Sequence, residues 1–307
     1  MNYTFLFPGQ GSQKVGMGKD FFSSLEWAKR RFDECNEILS RDLASIIFNG
    51  PEDQLTQTKN TQPALFTLES IICDALKERG IFPGFAAGHS LGEYGALYAA
   101  GAISFKDGLS IVAKRGQLMA DAGEKTAGAM AAVIGLPKQQ IVDALTRGVS
   151  GLVVCANENS PDQTVISGEV SAVAQACEVL KKVGAKRAIQ LPVSGAFHSP
   201  LMAPCADEFA EFLKPFIFND TKCPVIANVT ATPEVSGETL KGLLVSQLTS
   251  PVRWVEIMAN CAASDHGTCI EAGPGNVLAG LARKCDSRLN VIPCGTVENI
   301  YSFSSNG

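Results

Sequence analysis

The stretch FAAGHSLGEYGALYAAG, residues 85–101, decides how this chain is read. A short apolar run at 85–87 suits a buried strand. From Leu91 to Ala100 there is no proline, and Leu91, Tyr94 and Tyr98 fall about one helical turn apart. Between them, Gly88-His89-Ser90-Leu91-Gly92 fits G-x-S-x-G, a sharp strand-to-helix turn that pushes a serine hydroxyl into the open. Glycine is needed there because so tight a backbone leaves no room for a Cβ. The reading is an α/β fold with Ser90 as candidate nucleophile, and an inert serine at a glycine-rich turn is the alternative.

Upstream, Tyr3 to Phe7 reads as a buried strand, followed by the glycine-rich loop PGQGSQKVGMG. A dinucleotide fingerprint would need glycine at position 14, where the chain has Lys14, so no such cofactor site is expected. Residues 24–48 and 61–79 carry helical spacing, and Gly80 and Pro83 end the second segment. Downstream of Lys125 the texture changes. GAMAAVIGL reads as a strand, PKQQIVDALTR as a helix, GLVVCAN and QTVISG as strands around the turn ENSPD, EVSAVAQACEVLKKVG as a helix, and AKRAIQLPV as a strand. That β-α-β-β-α-β order is the ferredoxin-like pattern. After Pro192 an α/β texture returns, with a helix from His198 to Lys214, the strands PVIAN, TCIEAG and NVIPC, and helices near 238–249, 254–263 and from Asn276. The expected organisation is an α/β core from 1–125 and 193–307, interrupted by a subdomain at 126–192. A cleft between the two is the natural site.

The balance of 26 basic and 31 acidic residues, −5 in all, argues against nucleic acid or an anionic membrane as the main partner. Ten cysteines are scattered from Cys35 to Cys294 without a Cys-x-x-Cys pair, which reads as buried thiols in a reducing compartment, with neither a disulfide frame nor a zinc site. The chain opens on NYTFLFPGQG without a basic or long apolar leader, and has no 18-residue apolar run. A soluble cytoplasmic protein is expected, or one of an organelle matrix if a transit peptide has been removed, and a monomer.

A serine nucleophile needs a base, and there are three histidines to choose from. His89 lies inside the elbow, where a side chain usually points away from its neighbour's. His266 sits in the polar loop AASDHGT. His198, in SGAFHSPLM, opens a helix at the join between subdomain and core, and is the preferred base. Among the acids between serine and histidine, one of which would orient the ring in a triad, Asp107, Asp121, Asp143 and Asp162 show no distinguishing local pattern.

Seven ordered blocks then carry a resemblance over nearly the whole length: FPGQGSQ (7–13), GHSLGEY (88–94), AKRGQLM (113–119), NSPDQTVISG (159–168), VSGAFHSPLM (193–202), QLTSPVRW (247–254) and EAGPGNVLAGL (271–281). The chain resembles the malonyl-CoA:acyl carrier protein transacylases of fatty-acid synthesis. The resemblance implies an α/β-hydrolase-like core with a ferredoxin-like insert. By position, Ser90 matches the acylated serine, His198 the base, and Gln247 the residue whose backbone carbonyl orients the histidine in place of an acid. Arg115 matches the arginine that holds the malonyl carboxylate. Gln10 and Leu91 match the backbone N–H donors to the oxyanion, Asn157 is a candidate for lining the cleft, and Phe197 matches an aromatic that accompanies malonyl use. The implied substrates are malonyl-CoA and phosphopantetheinylated acyl carrier protein, with no metal or redox cofactor. An acidic carrier would need a local basic rim, for which Lys181, Lys182, Lys186 and Arg187, and Arg283 with Lys284, are candidates. Asp162 and Ala272 stand where the family more often has glycine and an apolar residue such as isoleucine. A serine hydrolase or thioesterase using the same Ser-His pair is the alternative, disfavoured by Arg115 and by the insert.

Overall fold

Strand β1 (Tyr3–Phe7) shows how the larger sheet is buried. Phe5 and Phe7 enter one apolar layer and Leu6 the opposite one, as the two-residue period of a strand requires. The same split recurs at β2 (Pro83–Gly88), where Ala86 and Ala87 face opposite layers. A strand buried on both faces reads as a continuous apolar run, and a parallel sheet flanked by helices is the arrangement that buries it. This computed structural model describes residues 3–193, 195–263 and 268–303.

The remaining strands are β3 (Gly128–Ile134), β4 (Val153–Ser160), β5 (Gln163–Glu169), β6 (Arg187–Gln190), β7 (Val225–Ile226), β8 (Pro233–Glu234), β9 (Thr268–Glu271) and β10 (Asn290–Pro293). The larger sheet runs β10-β9-β1-β2-β7-β8, parallel throughout except for β8, which pairs antiparallel with β7. The smaller sheet runs β4-β5-β3-β6 and is antiparallel. Numbered within the insert, that order is 2-3-1-4, the split β-α-β arrangement anticipated from the pattern.

The smaller sheet has two faces with different duties. Ala129, Ala131 and Val133 of β3 pack with Ile166 of β5 under the helices Lys138–Gly148 and Val170–Lys182, whose buried side chains include Ile141, Val173 and Leu180. The alternate residues Met130 and Ala132, with Asn157, Asn159, Gln163 and Val165, face a cavity on the other side. Strand β4 is tied to the larger unit by backbone bonds, Glu158 N–H to Val252 O at 2.9 Å and Val252 N–H to Ala156 O at 2.8 Å.

Several expected boundaries move. The helix expected over 24–48 is two helices, Glu26–Leu39 and Leu43–Asn49, because Ser40 is left-handed and the Asp42 side chain caps the second one by accepting from Ser45 N–H. Residues 158–160, expected in a turn, extend β4 through two register shifts. Asp162 has no positive φ, so the turn there makes no demand for glycine. The helix expected from His198 starts later, as a short 3₁₀ turn Pro200–Met202 followed by Ala203–Leu213, since His198 itself has φ 58°. A helix not read from the sequence, Phe105–Lys125, buries one face that includes Arg115.

Candidate active site

Ser90 stands at the C-terminal end of β2 and just ahead of the helix Gly92–Ala100. Its backbone is left-handed, φ 52°, a conformation that costs about 1–2 kcal/mol for a residue with a Cβ. The two flanking glycines permit the turn. A Cβ on Gly88 would run into the Gly92 backbone, and one on Gly92 into the Phe7 carbonyl of β1.

His198 Nε2 lies 2.8 Å from Ser90 Oγ, and His198 Nδ1 lies 2.8 Å from the backbone carbonyl of Gln247. That carbonyl belongs to the last turn of the helix Gly237–Gln247, where C=O groups have no partner within the helix and carry partial negative charge. Beside a long bond from Ser250 N–H at 3.4 Å it can accept Nδ1–H on its second lone pair, leaving Nε2 as the acceptor that faces the serine. No acid takes this place. Asp107, Asp121, Asp143 and Asp162 bond Ser104, Gln117, Gln139 and Ser160. Burial first, and the nearby Arg115 guanidinium second, push the His198 imidazole down to about 3. It is therefore a neutral ring in the resting site, with Nε2 unprotonated toward the serine.

Arg115 is no surface arginine: it is 1% exposed. It donates from Nη2 to Ser90 Oγ (3.1 Å) and to Gln247 Oε1 (2.8 Å), and from Nη1 to Gln62 Oε1 (2.8 Å). Its direct partners are neutral oxygens, and its Nε has no partner. A guanidinium held in this way keeps its charge available for an incoming carboxylate.

Ser90, His198, Arg115 and Gln62 line a cavity of about 230 Å³ between the elbow and the smaller sheet. Gln10, Leu91, Asn157 and Phe197 all line it as well. Among the described residues, no acceptor takes the backbone N–H of Gln10 or Leu91. Leu91 N–H opens the helix Gly92–Ala100, so both a free donor and the positive end of a helix point to the same place. The Gln10 side chain is anchored on Thr58 Oγ1 at 3.2 Å. Met119, Met130, Val165 and Leu191 are among the apolar residues of the wall.

The reading of His89 needs correction. Its ring does not turn away: it lines the same cavity, with Nε2 2.8 Å from Asn159 Oδ1 and an edge-on contact to Trp254. The alternation rule holds along a strand and fails at an elbow, where the backbone has left the strand. His266 lies outside the described residues. Sequence reasoning missed Gln62, Glu93, Asn159 and Asn228, all buried and all bonded to the groups above or to the elbow. For Glu93 a signal existed, a charged residue in an otherwise apolar helix.

Among the described residues, no cluster of three or more His, Cys, Asp or Glu is arranged to hold a metal ion, and no helix is long and apolar enough to cross a membrane.

A family model for the acyl transferase domain matches residues 4–298. The malonyl CoA-acyl carrier protein transacylase of Bacillus subtilis is 47% identical over 299 residues, 96% of this chain and 94% of that protein. An acyl carrier protein S-malonyltransferase of Vibrio cholerae superposes with a TM-score of 0.95 at 40% identity, covering 99% of this chain and 100% of that one. A malonyl-transacylase solved in complex with a type II PKS acyl-carrier protein superposes with a TM-score of 0.95 at 38% identity over 98% of both chains. These relatives move acyl groups between carriers, so the hydrolase alternative falls. With a domain model spanning the site and relatives matching end to end, the chain belongs to the acyl transferase family, among the malonyl CoA-acyl carrier protein transacylases.

Proposed function

We propose that this chain moves the malonyl group from malonyl-CoA to the phosphopantetheine thiol of an acyl carrier protein through malonyl-Ser90. The observation that carries the reading is Arg115, a buried guanidinium 3.1 Å from the Ser90 hydroxyl. An acyl group that ends in a carboxylate is the substrate such a charge selects.

His198 Nε2 takes the proton from Ser90 Oγ as Oγ bonds to the thioester carbonyl carbon. The oxyanion is held by the Gln10 and Leu91 N–H groups. The C–S bond then breaks, and the CoA sulfur leaves with the proton from His198. In the second half the carrier thiol gives its proton to His198, its sulfur attacks malonyl-Ser90, and the C–O bond breaks with the proton returned to Ser90. The two half-reactions balance without metal or redox chemistry. Every group used comes from one chain. Ten cysteines with no disulfide among them suit a reducing compartment such as the cytoplasm. Malonyl transfer should exceed malonyl-CoA hydrolysis by a wide margin in a steady-state assay with carrier protein. Comparable rates of the two would overturn the reading.

Arg115→Ala is expected to lower malonyl transfer by about 2–5 kcal/mol, the loss from leaving a substrate carboxylate unpaired in a desolvated site. Acetyl transfer should fall less, so the acetyl-to-malonyl ratio rises. Equal loss on both donors would make Arg115 structural.

Phe197 is 6% exposed and shares the cavity with Ser90 and His198. A ring there fills space that an α-methyl group would need. One methyl of overpacking costs about 1–3 kcal/mol, so Phe197→Ser should raise methylmalonyl relative to malonyl transfer by about tenfold or more. An unmoved ratio in a folded variant would remove Phe197 from the acyl pocket.

For the carrier, Lys182, Lys186 and Arg187 are exposed on the smaller unit, while Lys181 pairs with Glu178 at 3.0 Å and Lys284 lies 3.6 Å from Asp162. Such surface pairs hold their charges only weakly. Charge reversal at 182, 186 and 187 should raise KM for the carrier without changing self-malonylation, with the difference shrinking in added salt. An unchanged KM would refute this rim.

A further inference from the structure

Beneath the Ser90–His198 pair lies a set of buried polar groups that the two half-reactions do not use. Asn228, just past β7, donates from Nδ2 to the Gly88 carbonyl (2.6 Å) and accepts the Ser90 N–H on Oδ1 (2.8 Å), so one side chain grips both sides of the elbow. Its own backbone N–H donates to Glu93 Oε2 at 3.2 Å. The same carboxylate oxygen accepts from Gln247 Nε2 at 2.7 Å. Gln247 Nε2 also donates to the Ser90 carbonyl (2.9 Å), Gln247 Oε1 accepts from Arg115, and the Gln247 backbone carbonyl orients His198. Glu93, Asn228 and Gln247 are all fully or nearly fully buried.

We propose that Glu93 and Asn228 are positioning residues for acyl transfer: they lock the strained serine elbow, the carbonyl behind His198 and the amide beside Arg115 into one hydrogen-bonded unit. The inference rests on the transfer reading for its selectivity arm, and on Ser90 reactivity alone for the other.

The two residues divide the work. The Asn228 side chain touches only the elbow. A serine with φ 52° is held against its own preference, and Asn228 supplies the bonds that hold it. The Glu93 carboxylate bonds no atom of the elbow turn; only its backbone N–H does, donating to the Ser90 carbonyl at 3.2 Å. The carboxylate fixes the Gln247 amide, and through that amide both the Arg115 guanidinium and the Ser90 carbonyl. Both N–H bonds to Glu93 end on Oε2, whereas Oε1 has no partner. The function asked of Glu93 is therefore acceptance of two hydrogen bonds by one oxygen, which a glutamine amide oxygen can also supply.

The test measures, per folded active site, the rate constant for phosphonylation of Ser90 by an uncharged fluorophosphonate, and the malonyl-to-acetyl ratio of self-acylation from the CoA esters. Circular dichroism melting selects a temperature at which each variant is folded. Glu93→Ala should lower phosphonylation at least tenfold and lower the malonyl-to-acetyl ratio by about tenfold. Glu93→Gln should return both to within about threefold of the parent. Asn228→Ala should lower phosphonylation by about tenfold and leave the ratio unchanged. A merely structural role predicts lowered melting temperatures with parental rate and ratio per folded site, and that result would overturn the proposal. So would a folded Glu93→Gln as impaired as Glu93→Ala. Should Glu93→Ala fail to fold, Glu93→Gln and Asn228→Ala decide: a parental rate constant in Asn228→Ala overturns the elbow role. A parent protein that is phosphonylated yet takes no malonyl group counts against the transfer reading, while the phosphonylation arm still judges the positioning roles.

Discussion

Ser90→Ala is expected to abolish malonyl transfer, and brief incubation of the parent protein with malonyl-CoA is expected to add a single malonyl group to the peptide containing Ser90. The physical basis is the convergence at one oxygen. Ser90 Oγ lies 2.8 Å from an acceptor nitrogen and 3.1 Å from a guanidinium donor, beside two backbone N–H groups free to meet an oxyanion. Alanine leaves the donors in place but removes the atom that forms the ester. The binding groups and oxyanion donors on their own retain some rate over water, about 10³–10⁴-fold in a hydrolytic precedent, yet that residue cannot support a two-step exchange with no covalent intermediate. Peptide mass spectrometry checks the adduct. A label on another residue, or transfer surviving in Ser90→Ala, would sink the assignment.

His198→Ala should cost about 10⁴-fold or more in the acylation rate with the fold intact, since removing the base from a serine-histidine unit costs nearly as much as removing the serine. The pH dependence gives a second check. Burial and Arg115 push the folded imidazole down to about 3 from its ordinary value of 6.5. The neutral, competent ring therefore persists well below the usual imidazole range, and self-malonylation per site should not halve on passing through pH 6.5. Stability moves differently. Between 6.5 and about 3 the unfolded chain binds a proton at this position that the folded chain does not. That contribution to stability is whole above 6.5 and declines as the pH falls through the window. Stopped-flow acylation against pH, set beside melting temperature against pH, separates the two. An acylation midpoint near 6.5 would mean that His198 is more open to water than its 4% exposure indicates.

The readability of this chain is uneven in an instructive way. The elbow was legible because its demands are local: two glycines within five residues and a serine between them are required by one turn. The insert was legible because GAMAAVIGL is a short apolar run ending in glycine while Val170, Val173, Cys177 and Leu180 fall at helical spacing, although Val170 turns out to be exposed. The boundary at His198 was not, because its left-handed φ is imposed by its surroundings and leaves no trace in composition. Arg115 illustrates the same limit. By itself AKRGQLM is an ordinary amphipathic run, and its arginine reads as solvated; only the resemblance gave it a role.

What the sequence alone determined, then, is the order of elements, the turn that presents Ser90, and the short choice of bases. Each follows from residues near one another in the chain. The tertiary structure decided the rest. It set the Gln247 carbonyl, 49 positions from His198, at 2.8 Å from the ring. It also turned His89 into the cavity and joined Glu93 to Gln247 across 154 positions. A hydrogen bond needs its partners within about 3 Å and well aligned, and no local pattern records that distance between residues far apart in sequence. The helix end at Gln247 could supply an acceptor wherever it lay; only the packing of that helix against the elbow made it the partner of His198.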